Sequence, residues 1–260
     1  MHIQIDRMSR AQPDSKTRFY FGTAGWSIPR QSRDDFFEKD IAKRDHLKAY
    51  AARFSGVEIN SSFYRDHQPA TYLKWAQSTP DAFRFSIKLA KRFTHLQRLV
   101  VDTADLKSVI EGISQLGEKL GVILVQLPPQ LGFDPEISEE FFAILRELYT
   151  GPVAFEPRNP TWTMRTATRL LEDYQIGRVI ADPDPVGDAP EIKSSNVTYV
   201  RLHGSPKIYY SNYSEVLLEA WASEFQRAAK GKSAAWCIFD NTAMGHATAN
   251  ALEFSKLMES

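Results

Sequence analysis

Short runs in which apolar and polar residues alternate recur along the chain, and most of them end on a charged or amide side chain. They lie at residues 19–25, 56–63, 83–88, 122–128, 153–158, 178–182, 198–204 and 234–241. Alternation with a period of two marks a strand with one apolar and one polar face. In residues 83–88, Phe83, Phe85 and Ile87 occupy one face, and Arg84, Ser86 and Lys88 the other. The same pattern recurs in residues 57–60, 153–158 and 199–203, with Pro157 interrupting the apolar face near the end of its run. Parallel strands covered on both faces normally read as continuous apolar runs. A charged face on a parallel strand therefore implies an apolar face against helices and a polar face in a shared lumen. Eight such runs within about 250 residues meet the requirement of a (β/α)₈ barrel. The predicted fold class is α/β: a TIM-like (β/α)₈ barrel with a closed parallel sheet.

Helical spacing separates the runs. Residues 45–54 carry Leu47, Tyr50, Ala51 and Phe54 on one face. Residues 105–120 carry Leu106, Val109, Ile110, Ile113, Leu116 and Leu120, and Gly121 reads as the stop. Residues 138–149, 163–174 and 246–258 are similarly periodic, and residues 214–230 open on Ser214 as a cap followed by Glu215. Residues 183–196 hold three prolines and no apolar stripe, so an irregular loop replaces the helix after strand 6. Residues 90–104 read as a long loop, basic at its start. Long loops in compact domains are often functional. Residues 1–18 are polar and aperiodic and read as a flexible tail, leaving residues 19–260 as a single domain without a linker.

Bulk composition narrows the function classes. At 43% hydrophobic and 25% charged residues the chain reads as an ordinary soluble globular protein. Its formal net charge of zero argues against non-specific binding to nucleic acid or to an anionic membrane. No stretch approaches the roughly 18 apolar residues of a membrane helix. The N-terminal segment lacks the apolar core of a secretory signal. Cys237 is the single cysteine, so no internal disulfide forms, which suits a reducing compartment. The expected location is the cytoplasm. Nucleophile-elbow, P-loop and dinucleotide-binding glycine motifs are all missing from the sequence. Cys237 lies in mid-strand and reads as a core thiol.

Strand parity sorts the remaining chemistry. Glu58 and Asn60 share one face of the second run, Ser86 and Lys88 of the third, Glu156 and Arg158 of the fifth, Arg201 and His203 of the seventh. Gln126, Asp182, Asp240 and Asn241 stand at the ends of the fourth, sixth and eighth runs. In a barrel these ends meet at the C-terminal mouth, where active sites of this fold lie. Lone buried charges are costly, so the groups are paired, hydrated or bound to a ligand. One reading is a self-satisfied network of Glu58 and Glu156 with Lys88, Arg158 and Arg201. The other is catalytic. Glu58, Glu156 and His203 are the candidates for proton transfer, and Lys88, Arg158 and Arg201 for gripping an anion or stabilising developing charge. Trp26, Asn60, Tyr64, His95, Gln126, Asp182, Lys207, Asp240 and Asn241 are candidate substrate-binding residues around the mouth. A divalent metal on Glu58, Glu156, Asp182 and His203 is a variant, opposed by three cations in the same ring. No resident cofactor is predicted.

Several motifs together resemble one family. They are Gly22-Thr23-Ala24-Gly25-Trp26, residues 57–65 from Val57 to Arg65, Thr79-Pro80 with residues 83–88, Thr94-His95, Gln126-Leu127-Pro128-Pro129, residues 199–204, Gly245, Ala247 and Asn250-Ala251. The chain resembles the YecE-like family, domain of unknown function 72, over residues 19–258. The resemblance implies a TIM-like barrel and no settled activity. In the family's Glu-Phe-Arg-His-x-Ser-Trp stretch, Asn159 stands here in place of the histidine, and the usual Asn-Asn pair after the last strand is Asp240-Asn241.

Two functions are expected on these grounds. The first is an enzyme using acid–base chemistry on an anionic or polyhydroxylated small substrate, with a hydrolase as one form; a glycosidase built on Glu58 and Glu156, or a metal-dependent phosphodiesterase or isomerase, falls within this class. The second is a non-catalytic module that recognises a nucleotide, a nucleic acid or a protein through the same mouth and the Tyr209–Tyr213 loop.

Overall fold

Period-two alternation becomes parallel sheet in the computed structural model, which describes residues 16–29, 36 and 41–259. The strands are β1 (Arg18–Thr23), β2 (Gly56–Ile59), β3 (Arg84–Lys88), β4 (Leu120–Gln126), β5 (Val153–Glu156), β6 (Gly177–Arg178), β7 (Ile180–Asp182), β8 (Val197–Leu202) and β9 (Ala234–Phe239). They form two sheets, in the orders β1-β9-β8-β7 and β2-β3-β4-β5-β6. All the strand pairs are parallel. A single parallel bridge, Ala24 with Glu58, joins the end of β1 to β2, and the Gly25 N–H donates to the Glu58 carbonyl at 2.8 Å. At the other side, Val179 alone separates β6 from β7, and its N–H donates to the Phe155 carbonyl.

Helices α1 (His46–Ala51), α2 (Ser61–Tyr64), α3 (Pro69–Gln77), α4 (Thr103–Ile113), α5 (Pro135–Leu148), α6 (Arg165–Asp173), α7 (Glu215–Ala229) and α8 (His246–Glu259) follow strands or loops. Their starts are chemical. Asp134 caps α5 by accepting from the N–H groups of Glu136 and Ile137, and Ser214 caps α7 by accepting from Leu217. The residues 183–196 hold no helix, as their prolines predict. No helix among the described residues is long and apolar enough to cross a membrane.

The two faces of the strands bury different things. The outward parity, with Phe85, Ile87, Ile123, Val125 and Phe155, packs with Phe141, Leu145 and Leu218 of the helices. The inward parity holds a second apolar cluster of Tyr20, Val122, Leu124, Ala154, Val197, Tyr199, Trp236 and Ile238. Along β8 the inward residues run Val197, Tyr199, Arg201, so the interior changes from apolar to charged toward the C-terminal strand ends.

Several boundaries differ from the sequence reading. The run 56–63 stops at Ile59, because Ser62 turns its hydroxyl onto the carbonyls of Ile59 and Lys88 and lies in α2. The run 178–182 is broken, since Gly177–Arg178 pairs with β5 while Ile180–Asp182 pairs with β8. Residues 105–120 are not one helix. A 3₁₀ segment, Ser114–Lys119, follows α4, and Gly117 breaks it at φ 58°. Gly121, read as a stop, lies inside β4. Helix α3 escaped the periodicity reading, although Pro69 at its first turn is a legible start signal. The loop 90–104 contains a π-helical turn, Arg92–Leu96. Of the expected tail, residues 1–15 lie outside the described residues, and Arg18 already belongs to β1.

Candidate functional site

Arg201 organises the C-terminal strand ends. It points inward from β8 with no solvent exposure. Its Nε donates to Glu58 Oε2 at 3.0 Å, and its Nη2 to Glu58 Oε1 at 2.7 Å and to Asp240 Oδ2 at 2.8 Å. Its Nη1 donates to Glu156 Oε2 at 2.7 Å. One planar fork thus serves three carboxylates drawn from β2, β5 and the end of β9. The Tyr199 hydroxyl, one inward position earlier on β8, is hydrogen-bonded to Glu58 Oε2 (2.9 Å) and Ser86 Oγ (2.7 Å). Both oxygens of Glu58 are consequently occupied, and its side chain is sealed from solvent. Tyr199 is a site residue that the sequence reading does not single out. Its parity with Arg201 and His203 is the signal that finds it.

Glu156 links this interior to the rim. Its Oε1 accepts from Arg158 Nε at 3.0 Å and Nη2 at 2.8 Å, and lies 3.5 Å from His203 Nε2. The other ring nitrogen of His203, Nδ1, lies 3.1 Å from Asp240 Oδ2. Burial works against ionisation of Glu156, yet Arg201, His203 and Arg158 hold its carboxyl well below the usual range. Asp240 is lowered in the same way, burial being outweighed by Arg201 and His203. For His203 burial disfavours the cation, and hydrogen bonds to Asp240 and Glu156 overcome it, so its pKa is raised. Burial and the charge of Glu58 push the Tyr199 phenol upward.

The rim is cationic. Lys88, 8% exposed, makes no hydrogen bond or ion pair through its ammonium among the described residues, and that ammonium rests 4.3 Å from the Phe63 ring centroid. Burial first, then Arg201, lowers its pKa. His95 packs edge-on to the same Phe63 ring at 5.0 Å and bonds Thr94 Oγ1 through Nδ1. Its pKa is lowered by burial and by Lys88, Arg158 and Lys91. Tyr209, from the loop after β8, stands edge-on to His203 at 5.9 Å. Solvent exposure in the cluster is small: 8% for Lys88, 3% for His203, 6% for Asp240 and 20% for the Arg158 side chain.

Other candidates from the sequence are engaged elsewhere. Asp182 accepts from the Tyr213 hydroxyl at 2.7 Å. The Asn241 amide donates to the Ser211 carbonyl and to Asn250 Oδ1, both at 2.9 Å. Lys207 lies 4.3 Å from the Tyr210 ring centroid in an exposed loop. Trp26 packs against Trp75. Tyr64 is 70% exposed with Lys91 over its ring, at the outer margin. Gln126 is buried with its Nε2 3.5 Å from the Leu127 carbonyl, and Asn60 Oδ1 is buried with no hydrogen-bond partner among the described residues. Among the described residues no group of three or more His, Cys, Asp or Glu side chains is arranged to hold a metal ion. The guanidinium of Arg201 occupies the space between the carboxylates where such an ion would sit.

A family model described as protein of unknown function DUF72 matches residues 20–260. The UPF0759 protein YunF of Bacillus subtilis is 24% identical over 92% of this chain and 94% of its own length. The UPF0759 protein YecE of Escherichia coli K12 is 28% identical over 64% of this chain, which spans 60% of that relative. Among solved structures, a DUF72 family protein from Thermotoga maritima superposes with a TM-score of 0.77 at 24% identity, covering 94% of this chain and all (100%) of that one. A DUF72 family protein from Enterococcus faecalis gives 0.78 at 20% identity, covering 93% and 96%. At these identities the likeness is one of fold.

Proposed function

The chain belongs to the DUF72 family, and we propose that it is an enzyme that binds a small anionic or polyhydroxylated substrate at the C-terminal strand ends of a closed TIM-like barrel. The Ala24–Glu58 bridge and the single-residue step between β6 and β7 support closure. The reading is carried by Lys88, a buried lysine with no carboxylate partner among the described residues in a cluster otherwise rich in ion pairs. An anionic group on the substrate supplies that partner, and Arg158, with a side chain 20% exposed, supplies a second contact.

The roles separate by depth. Glu58 and Arg201 are closed off by their mutual fork and hold the others in position, so a two-carboxylate glycosidase using Glu58 is not part of this reading. His203 is the proton-transfer group. Asp240 orients it through Nδ1, leaving Nε2 against Glu156 Oε1 at 3.5 Å and Arg201 Nη1 at 3.4 Å. Glu156 is held ionised, and with Asp240 it favours the protonated form of His203. The reaction class is acid–base chemistry, hydrolysis being one member.

A thermal-shift screen of small anions and sugar phosphates tests the reading, because a ligand that binds the native state raises its stability by mass action. Lys88→Met loses the shift of the best ligand. His203→Gln keeps that shift and lowers turnover by roughly 10²–10⁴-fold, the usual span for a lost general acid or base. Full turnover in His203→Gln makes the protein a binding module instead. An unaltered shift in Lys88→Met removes the site from this rim.

A further inference from the structure

A second group of cations and aromatic rings lies outside the Arg201 cluster. A cavity of about 500 Å³ is lined by Trp26, Trp75, Lys43, Arg44 and Lys74, with Leu47 at its base. It shares no lining residue with the Arg201 cluster, so a ligand held here is independent of the rim site.

Two features of the cavity point to its ligand. The first is rigid aromatic surface. Trp26 and Trp75 meet edge to face at 5.0 Å, and both are partly exposed. Trp75 is held from behind by His67 at 4.9 Å and Tyr72 at 5.4 Å. His67 is itself tied to Ser61 Oγ at 2.9 Å. Rings fixed in this way lose little freedom when a planar ligand packs on them. The second is positive charge, from Lys43, Arg44 and Lys74. Among the described residues no Asp or Glu lines the cavity. The Arg44 guanidinium has one ion pair among the described residues, to Asp45 at 3.5 Å, between side chains 85% and 51% exposed, which is worth little in water. The ammonium groups of Lys43 and Lys74 make no hydrogen bond or ion pair among the described residues. The chain as a whole is neutral, so this concentration of charge is local.

We propose that this groove binds a nucleoside phosphate, its base against Trp26 and Trp75 and its phosphate between Lys43, Arg44 and Lys74. A simple anion has no use for two indoles, and an apolar ligand has none for three cations. An aromatic ring carrying an anionic tail uses both. The volume suits it, since small-ligand pockets occupy about 300–1,000 Å³.

The test is titration of the purified full chain with AMP, read by tryptophan fluorescence and calorimetry, beside adenosine, ribose 5-phosphate and a single-stranded oligonucleotide. AMP binds saturably, and adenosine and ribose 5-phosphate each bind at least about tenfold more weakly, a difference of roughly 1.4 kcal/mol. The double variant Lys43→Glu/Lys74→Glu weakens AMP by about tenfold or more at an unchanged unfolding temperature, because both side chains are exposed. Lys88→Met leaves AMP affinity as it was, which separates this groove from the rim site. Four results overturn the proposal: no saturable response to AMP, ribose 5-phosphate binding as tightly as AMP, oligonucleotide binding that AMP does not compete, or an AMP affinity that Lys88→Met abolishes while the double variant retains it.

Discussion

Arg201 and Glu58, 143 positions apart in the chain, meet through two hydrogen bonds of 2.7 and 3.0 Å with neither side chain exposed to solvent. The same guanidinium also reaches Glu156 and Asp240, so Arg201 serves three carboxylates while the other partner of Glu58 is the neutral Tyr199 hydroxyl. The two residues are therefore unequal. Arg201→Met removes the shared cation from three buried carboxylates, leaving Glu58 with only the Tyr199 hydroxyl while Glu156 keeps Arg158 and Asp240 keeps His203, and costs roughly 3–5 kcal/mol, the range for breaking a buried pair from one side. Glu58→Leu leaves Arg201 with two carboxylates and costs less. Urea unfolding midpoints measure the order, and equal losses would mean that Arg201 is not the common partner.

Stability has a limit on each side of neutrality. The carboxyls of Glu156 and Asp240 are depressed in the folded chain. Their contribution is complete above the ordinary carboxylate range of about 4 and is lost as pH falls through the depressed values. His203 is raised. Its contribution is complete below its ordinary value of about 6.5 and is lost as pH rises through the raised one. His95 and His67, both lowered mainly by burial, add to the acid-side loss. Unfolding temperature against pH shows a maximum between the limits. His203→Gln flattens the fall that begins above about 6.5 and leaves the acid limb, and an unchanged alkaline fall would assign that limb to another group.

Gly121 is a steric requirement of Trp236. A Cβ on Gly121 would collide with Trp236 Cζ2 and stand 3.0 Å from Cη2. Trp236 cannot retreat, because it is fully buried with Tyr20 at 4.6 Å and Tyr199 at 6.0 Å. Gly121→Ala costs about 1–3 kcal/mol by overpacking. Combined with Trp236→Phe it costs less than the sum of the two changes, since the smaller ring frees the contested space. Additive losses in denaturant unfolding would rule out the clash as the cause.

Lys88 is a stability cost retained at the rim. Its lowered pKa means that the folded chain disfavours the ammonium, first through burial and then through Arg201. Lys88→Met, which keeps the stem and removes the charge, leaves the unfolding temperature at neutral pH equal or higher. A clear drop in calorimetry would show that the ammonium has an attractive role in the fold.

Much of the site was legible one residue at a time. Alternation assigned Glu58, Lys88, Glu156, Arg158, Arg201 and His203 to inward faces, because a strand's side-chain period depends only on local geometry. The resemblance to DUF72 was legible in short motifs for the same reason. Signals of mixed origin misled: Gly121 resembles a helix stop, and only the neighbouring Trp236 shows that it is a strand glycine. Helix α3, with Pro69 at its start, carried a terminal signal but a weak stripe, since only Tyr72 is fully buried on it.

Which residues face inward, and roughly where each strand ends, was already written in the order of amino acids, since these depend on neighbours two to four positions away. Which charges neutralise one another was settled by folding alone. Register across β2, β5, β8 and β9 gives Arg201 to three carboxylates, leaves Lys88 without one among the described residues, and draws Asp182 and Asn241 off to Tyr213, Ser211 and Asn250. Those pairings join residues from a few to more than a hundred positions apart, and the distance between charges, which sets their energy, does not exist until the strands are side by side.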